Sequence, residues 1–393
     1  MRKDITKKII SCVALLLMCC LLITGCQDAK SPSASSNPET SDSGSSNTDV
    51  PDVSAGTTTT PGGASSTATM TPVKANIDLR FNTNGKYKVM ILSDLRLSKK
   101  VNSTVIKNIE KVLDKEKPDL VILGGDIHDG TISNEKDLRT ILDAVNAPLE
   151  ARKIPWCHTF GVDAAGTATK KTGYSKTEQM KVYQSYPYCV SKVDFADGNS
   201  VSNFVLPIKK SSGDKIGFNV WCLDANGYLN DYEAGLEDKV LLKGTLSGKT
   251  NLDCIHRTQI NWYYSLSKQM QKENGGTVVP GMMYFQVAPQ QFRMIYKNKN
   301  RTDMVGTNKQ KQSSPERESG IVWTLYERGD IKGLFCGYEE ENDYQGNYVG
   351  MVLAHCSTVG KTSNTATAGA RIVSLSNNGT KMETSMVYLS TLK

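Results

Sequence analysis

Val89-Met90-Ile91-Leu92-Ser93-Asp94-Leu95-Arg96 and Leu120-Val121-Ile122-Leu123-Gly124-Gly125-Asp126 decide the fold. Each is a short apolar run that stops abruptly at polar and glycine residues, the mark of a buried strand ending at a sheet edge. Between them Val105, Ile109, Val112 and Leu113 recur at helical spacing after the candidate caps Asn102 and Ser103, and Pro118 closes the segment. A second helical pattern (Leu138, Ile141, Leu142, Val145) leads to a third strand, from Ile154 to Phe160, that runs into Gly161. The order β-α-β-α-β implies a parallel sheet, and ligands bind such sheets at the carboxyl ends of their strands. A site is therefore expected near Asp94, Asp126 and Gly161.

Further along, short strands are expected at Phe204–Ile208, Phe218–Leu223, Met282–Val287, Ile321–Tyr326, Ile331–Cys336 and Gly350–Ala354, with one amphipathic helix over Gln259–Met270. Trp221-Cys222-Leu223-Asp224 ends near the expected site, so Asp224 is read as a strand-end turn residue or a cleft residue. Tyr174, Tyr183, Tyr186 and Tyr188 are read as packing residues, with a lid or wall as the alternative. There is no Walker loop, no Gly-x-Ser-x-Gly and no His-Glu-x-x-His.

Upstream of the folded part, Arg2, Lys3, Lys7 and Lys8 precede an apolar run from Val13 to Ile23, too short to span a bilayer comfortably. It ends in Ile23-Thr24-Gly25-Cys26, which resembles a bacterial lipobox. Residues 1–26 are read as a lipoprotein signal with Cys26 as the lipidated residue, placing the protein on the extracytoplasmic face of the cell membrane. Residues 27–74 read as a disordered linker: of the 43 residues 31–73, 29 are Ser, Thr, Pro or Gly, so little there can drive burial. The folded domain is expected over 75–393. The formal charge of +7 comes with no Lys/Arg-rich run, and no nucleic-acid partner is expected. Six cysteines (Cys157, Cys189, Cys222, Cys254, Cys336, Cys356) fall in the folded part without the tight spacing of a disulfide scaffold or zinc site, and few or no disulfides are expected.

The strand-end residues form a series. Asp94 follows strand one, Gly125-Asp126 strand two and Gly161 strand three. Met283-Tyr284-Phe285-Gln286-Val287 and Gly337-Tyr338-Glu339-Glu340-Glu341-Asn342-Asp343 continue it, with Ser319-Gly320 and Gly369-Ala370-Arg371 also in place. Over about residues 80–378 this order resembles the calcineurin-like metallophosphoesterases, in particular their bacterial purple-acid-phosphatase-related branch. The resemblance implies an α/β fold, a four-layer α/β/β/α sandwich, with two metal ions at the carboxyl ends of the central strands. Two divalent ions there would clamp a phosphate ester and lower the pKa of a bridging water.

The ligands are degenerate. Where the family has Asp-x-His, this chain has Asp94-Leu95-Arg96, and a guanidinium has no lone pair for a metal. The family's Gly-Asn-His-Asp is Gly161-Val162-Asp163-Ala164, its strand-borne His is Gln286, and its Gly-His-Asp-His is Gly337-Tyr338-Glu339-Glu340. Asp94, Asp126 and Glu340 remain as a vestigial, weak metal set, so no cofactor, or at most one weakly bound divalent ion, is expected. His128, His158, His256 and His355 all lie off the ligand positions. Arg96, two residues from Asp94 on an extended strand, is expected to bridge Asp94 and Asp126 and stand in for the first metal. The favoured reading is a pseudoenzyme that keeps its cleft for a cell-envelope or phosphate-bearing ligand. The alternatives are an active phosphoesterase using one metal or a shifted set with His128, Glu339 and Glu340, and a surface interaction module.

Overall fold

Alternation along the central strands sets the architecture. In a strand, neighbouring side chains point to opposite faces. Val89 and Ile91 therefore enter one apolar cluster while Met90 and Leu92 enter another, and every one of them is buried. The structure, a computed structural model, describes residues 74–392 except 168–169, 199, 230–251, 298–300 and 361–365. The expected signal, the expected lipidation site Cys26 and almost all of the expected linker lie outside the described residues. Among those described, no helix is long and apolar enough to cross a membrane.

In chain order the elements begin with β1 (Tyr87–Ser93), α1 (Ser103–Glu116), β2 (Leu120–Gly124), α2 (Glu135–Ala151) and β3 (Trp156–Thr159). They continue with β4 (Gly166–Thr167), β5 (Lys170–Lys171), α3 (Lys176–Gln184), β6 (Phe195–Asp197), β7 (Ser200–Lys209) and β8 (Ile216–Cys222). Then come α4 (Arg257–Glu273), β9 (Gly281–Tyr284), α5 (Gln291–Lys297), α6 (Ile321–Arg328), β10 (Ile331–Cys336), β11 (Gln345–Tyr348), β12 (Met351–His355), β13 (Gly369–Ser376) and β14 (Lys381–Tyr388). One sheet runs β14-β13-β1-β2-β3 and the other β11-β12-β10-β9-β8-β7-β6, with β4 and β5 a separate two-stranded ribbon. As the sequence suggests, β1, β2 and β3 are parallel.

Three apolar clusters account for four layers. Met90, Leu92, Val121 and Leu123 face outward onto α1, α2 and α3. Val89, Ile91, Ile122 and Cys157 meet Phe204, Val220, Met282 and Phe335 between the two sheets. Trp221, Met283, Leu334 and Leu353 pack on the far side against Ile260, Phe292 and Leu325 of α4, α5 and α6. This is the expected α/β/β/α sandwich. Each large apolar side chain fully buried here contributes roughly 1.5–3 kcal/mol.

The helix ends follow their sequence signals. Asn102 caps α1 by accepting from the Thr104 amide at 2.9 Å, and Asn134 caps α2 by accepting from the Asp137 amide at 3.0 Å. One element departs from expectation. The run Ile321–Tyr326 is a helix, not a strand: Ile321, Val322 and Leu325 are buried while Trp323 and Tyr326 are exposed, and Gly320 and Gly329, both at positive φ, bracket it. A short apolar run is ambiguous by periodicity alone, and flanking glycines outweigh its aromatic and β-branched content. The six domain cysteines are buried free thiols.

Candidate functional site

Loops that leave β1, β2, β3, β9 and β10 converge at the carboxyl ends of their strands. The first two run side by side: the Arg96 amide donates to Asp126 O at 2.9 Å and the Leu97 amide to Ile127 O at 2.9 Å. The chain turns sharply to do this. Asp94 (φ 54°), Arg96 (φ 45°), Asp126 (φ 21°) and Tyr338 (φ 73°) all have positive φ. Aspartate tolerates that region better than arginine or tyrosine do, and such strain, about 1–3 kcal/mol per residue, concentrates at functional sites.

Arg96 occupies the centre of this convergence. Its Nη2 donates to Asp126 Oδ2 at 2.9 Å, its Nη1 to Asp163 Oδ2 at 2.8 Å, and its Nε meets Glu340 Oε1 at 3.0 Å. Three nitrogens thus meet three carboxylates from three loops. Asp126 and Asp163 are almost wholly buried, while the arginine side chain keeps 31% exposure. Burial works against its charge, but Asp126, Asp94 and Asp163 outweigh it and hold the guanidinium more firmly protonated than a free arginine. Asp126 Oδ1 also accepts from the Asp163 amide at 2.9 Å, and Tyr228 donates its hydroxyl to Asp163 Oδ1 at 2.6 Å.

The expectation that Arg96 bridges Asp94 and Asp126 from an extended strand is corrected in one half. β1 ends at Ser93, and the positive φ at Asp94 and Arg96 turns the guanidinium toward Asp126, Asp163 and Glu340. Asp94 is held otherwise. It accepts from Gln286 Nε2 on one oxygen and from the Tyr338 amide (2.8 Å) and Ser93 Oγ on the other. Gln286, fully buried, also accepts the Val162 amide on Oε1 at 2.8 Å, so one side-chain amide ties the loop after β9 to those after β1 and β3. Burial, then the charge of Asp126, raises the Asp94 carboxyl to about 7, against the opposing pull of Arg96.

Glu339 points away from this cluster. It accepts from the Ser313 amide, lies 3.8 Å from His355 Nδ1, and is pushed up to about 8 by burial. Burial, then Asp126, raises the Tyr338 hydroxyl to about 12. The histidines serve elsewhere. His128 contacts Gln179 Oε1 at 3.2 Å, His158 stacks on Tyr183 at 4.0 Å, and His256 pairs with Asp253 at 2.7 Å at the start of α4. Among the described residues no group of three or more His, Cys, Asp or Glu side chains is placed to hold a metal ion. Asp94, Asp126 and Glu340 do not form one donor set, because Asp94 is bound by Gln286 and the other two by Arg96. Nor is His128 gathered with Glu339 and Glu340. The residues present do not fit a dimetal centre.

No protein-family model matches the chain. Curated proteins do match, among them two relatives from Arabidopsis thaliana. "Probable inactive purple acid phosphatase 14" is 24% identical over 315 residues, covering 72% of this chain and 72% of the relative. "Probable inactive purple acid phosphatase 29" is 24% identical over 323 residues, covering 73% and 76%. The chain resembles metallophosphoesterases of the purple-acid-phosphatase kind. Among solved structures, a dimetal phosphatase from Danio rerio is similar at a TM-score of 0.48 and 12% identity, covering 76% of this chain and 98% of that one.

In this metallophosphoesterase-like domain the substituted positions are tied into the site. Gln286 and Val162 hydrogen bond to each other, Arg96 and Asp163 form an ion pair, and Glu340 joins the same arginine. The Tyr338 backbone, rather than its side chain, supports Asp94. Three contributors gave no sequence signal: Ser93, whose hydroxyl lies 2.7 Å from Tyr284 OH; Thr358, whose hydroxyl donates to Asp94 O at 2.9 Å; and Tyr228. The Ser93–Tyr284, Thr358–Asp94 and Tyr228–Asp163 contacts join residues far apart in sequence, which no spacing rule can register.

Proposed function

We propose that the protein is a membrane-anchored extracytoplasmic lipoprotein whose metallophosphoesterase domain is a pseudoenzyme. The observation that carries the reading is the contact of all three Arg96 nitrogens with Asp126, Asp163 and Glu340. A guanidinium supplies positive charge and directed hydrogen bonds, but it offers neither a lone pair nor a coordinated water for hydrolysis. Among the described residues one cation faces three carboxylates, which disfavours an anionic phosphate ester. The names of the two plant relatives, each a "probable inactive" purple acid phosphatase, agree with this.

The anchoring half of the proposal rests on the basic residues, the apolar run and Gly25-Cys26. Anchored in this way, the domain works close to the membrane and its ligand belongs to the cell envelope; a phosphate-bearing ligand is the less favoured class. The test is hydrolysis of p-nitrophenyl phosphate and bis-p-nitrophenyl phosphate by the purified chain with Mn²⁺, Zn²⁺, Fe²⁺ or Mg²⁺. Turnover is expected at the level of buffer with metal alone. Metal-dependent turnover that disappears in Asp126→Asn would establish an active phosphoesterase instead.

A further inference from the structure

We propose that the domain docks on the anionic membrane surface with the amino ends of its parallel strands, which turns the Arg96 centre away from the bilayer. This rests on the anchored reading above. Loops after β1, β2, β3, β9 and β10 share the Arg96 centre, so both sheets point their carboxyl ends the same way. The first described residues lie at the other end. The Ala75 amide donates to Pro187 O at 3.1 Å and the Lys74 ammonium to Gln184 O at 3.0 Å, while the neighbouring Tyr188 O accepts at 3.0 Å from the amide of Trp156, the first residue of β3. The connection toward Cys26 therefore leaves the domain on the side opposite the centre.

That side is basic. The segments that lead into β1, β2, β3 and β8 (82–86, 117–119, 152–155 and 210–215) carry Lys86, Lys117, Arg152, Lys153, Lys210 and Lys215 against Asp119 and Asp214. All of these cations but Lys210 are exposed. Asp214 already faces Arg80 and Lys209, and Arg152 faces Asp114. The cations are scattered in sequence, and the topology gathers them because each precedes a strand that runs toward the centre. A basic face is drawn to anionic headgroups within about a Debye length, roughly 8–10 Å.

The second sheet supplies apolar tips at the same end. Val349-Gly350 is the two-residue turn between β11 and β12, with both residues at positive φ, 47° and 84°. Such a turn favours Asn-Gly, and a β-branched residue in the left-handed region is strained. Val349 nevertheless stands 51% exposed, so neither the turn nor packing accounts for a valine there. An apolar tip gains once it enters the boundary between headgroups and acyl chains. Val278, in the segment that leads into β9, and Tyr326, in the last turn of α6 before β10, are exposed as well. Tyrosine is enriched at that depth of a bilayer.

The experiment places a bimane fluorophore on the full chain at Val349→Cys and, at the opposite end, at Lys309→Cys, whose neighbour Gln310 donates its amide to Asn342 Oδ1 at 2.8 Å in the loop after β10. The domain's own thiols are buried, which leaves the introduced one to react. Each labelled chain is reconstituted in phosphatidylcholine vesicles, with or without phosphatidylglycerol, that carry a nitroxide at headgroup depth. In anionic vesicles quenching should be several-fold stronger at position 349 than at 309. Most of that difference should be lost in neutral vesicles and in Lys117→Glu/Lys153→Glu, a charge reversal at two exposed positions. Equal quenching at the two positions, stronger quenching at 309, or a difference indifferent to phosphatidylglycerol would overturn the proposal. Mass spectrometry of Cys26 tests the anchored reading separately. Lipid on Cys26 with equal quenching sinks docking alone, whereas Cys26 without lipid overturns that reading and this orientation with it.

Discussion

Replacing Arg96 with methionine removes the charge and keeps most of the side-chain volume. Asp126, with no side-chain exposure, and Asp163 at 5% would then lose the cation that pairs them, and Glu340 at 21% one of its partners. Breaking a buried pair by removing one partner typically costs about 3–5 kcal/mol. Arg96 is nearly one-third exposed and Glu340 can turn to water, so the lower end applies, about 3 kcal/mol. For a domain of this size that corresponds to a fall in Tm of roughly 4–5 °C. The same substitution leaves carboxylates that a divalent ion can share. At a free ion concentration of 100 times its Kd, the ion restores about 2.7 kcal/mol. Differential scanning calorimetry of parent and Arg96→Met, each with chelator and with Mn²⁺ or Ca²⁺, reads both effects. The parent should be insensitive to metal, while the variant should melt lower in chelator and recover most of the loss with metal. If Arg96→Met melts within about 1 °C of the parent and ignores metal, the guanidinium is not the cation that holds these loops together.

Three further outcomes follow from the same geometry. Gln286→Ala leaves a buried Asp94 oxygen and the Val162 amide without their partner; at about 1–3 kcal/mol per orphaned group, denaturant unfolding should register a loss of about 2–4 kcal/mol. Lys176→Met strands Asp224, which is fully buried, and should cost about 3–5 kcal/mol, with the double variant Lys176→Met/Asp224→Asn recovering part of it in the same assay. The third concerns pH. Raised folded pKa values of about 7 at Asp94 and about 8 at Glu339 mean that the folded state holds protons the unfolded chain releases, so their contribution is present at low pH and lost as pH rises through those values. His158 and His355, lowered by burial to about 3, act oppositely: their contribution is complete above pH 6.5 and lost as pH falls toward 3. Between pH 6.5 and 8.5 the carboxyls act, reinforced by His256, which Asp253 raises. Stability should therefore decline over that interval, and Glu339→Gln should flatten the decline in a series of thermal melts.

Much of the fold was legible because the strands that build it are apolar on both faces and stop at Asp and Gly. Asp94, Asp126 and Gly161 mark the carboxyl ends of β1, β2 and β3, and the site lies there. Helix against strand was undecidable at Ile321–Tyr326, where six residues fit either period and the deciding glycines lie outside the run. Within the site, the charge of Arg96, the loss of its family ligand role and its pairing with Asp126 could be read from the sequence, but not its pairing with Asp163 and Glu340. Those depend on the positive φ of Asp94 and Arg96, a property of the turn. Asp163 looked like a lost histidine and proves to be an ion-pair partner, and Gln286 looked like a lost ligand and proves to be a strut between two loops.

The most direct test is the metal stoichiometry of the purified full chain after incubation with Mn²⁺, Zn²⁺, Fe²⁺ and Ca²⁺ and removal of free ion. Near zero per chain in the parent, with binding appearing in Arg96→Met, is the result predicted for a centre whose cation is built into the sequence. About two ions per parent chain would contradict it.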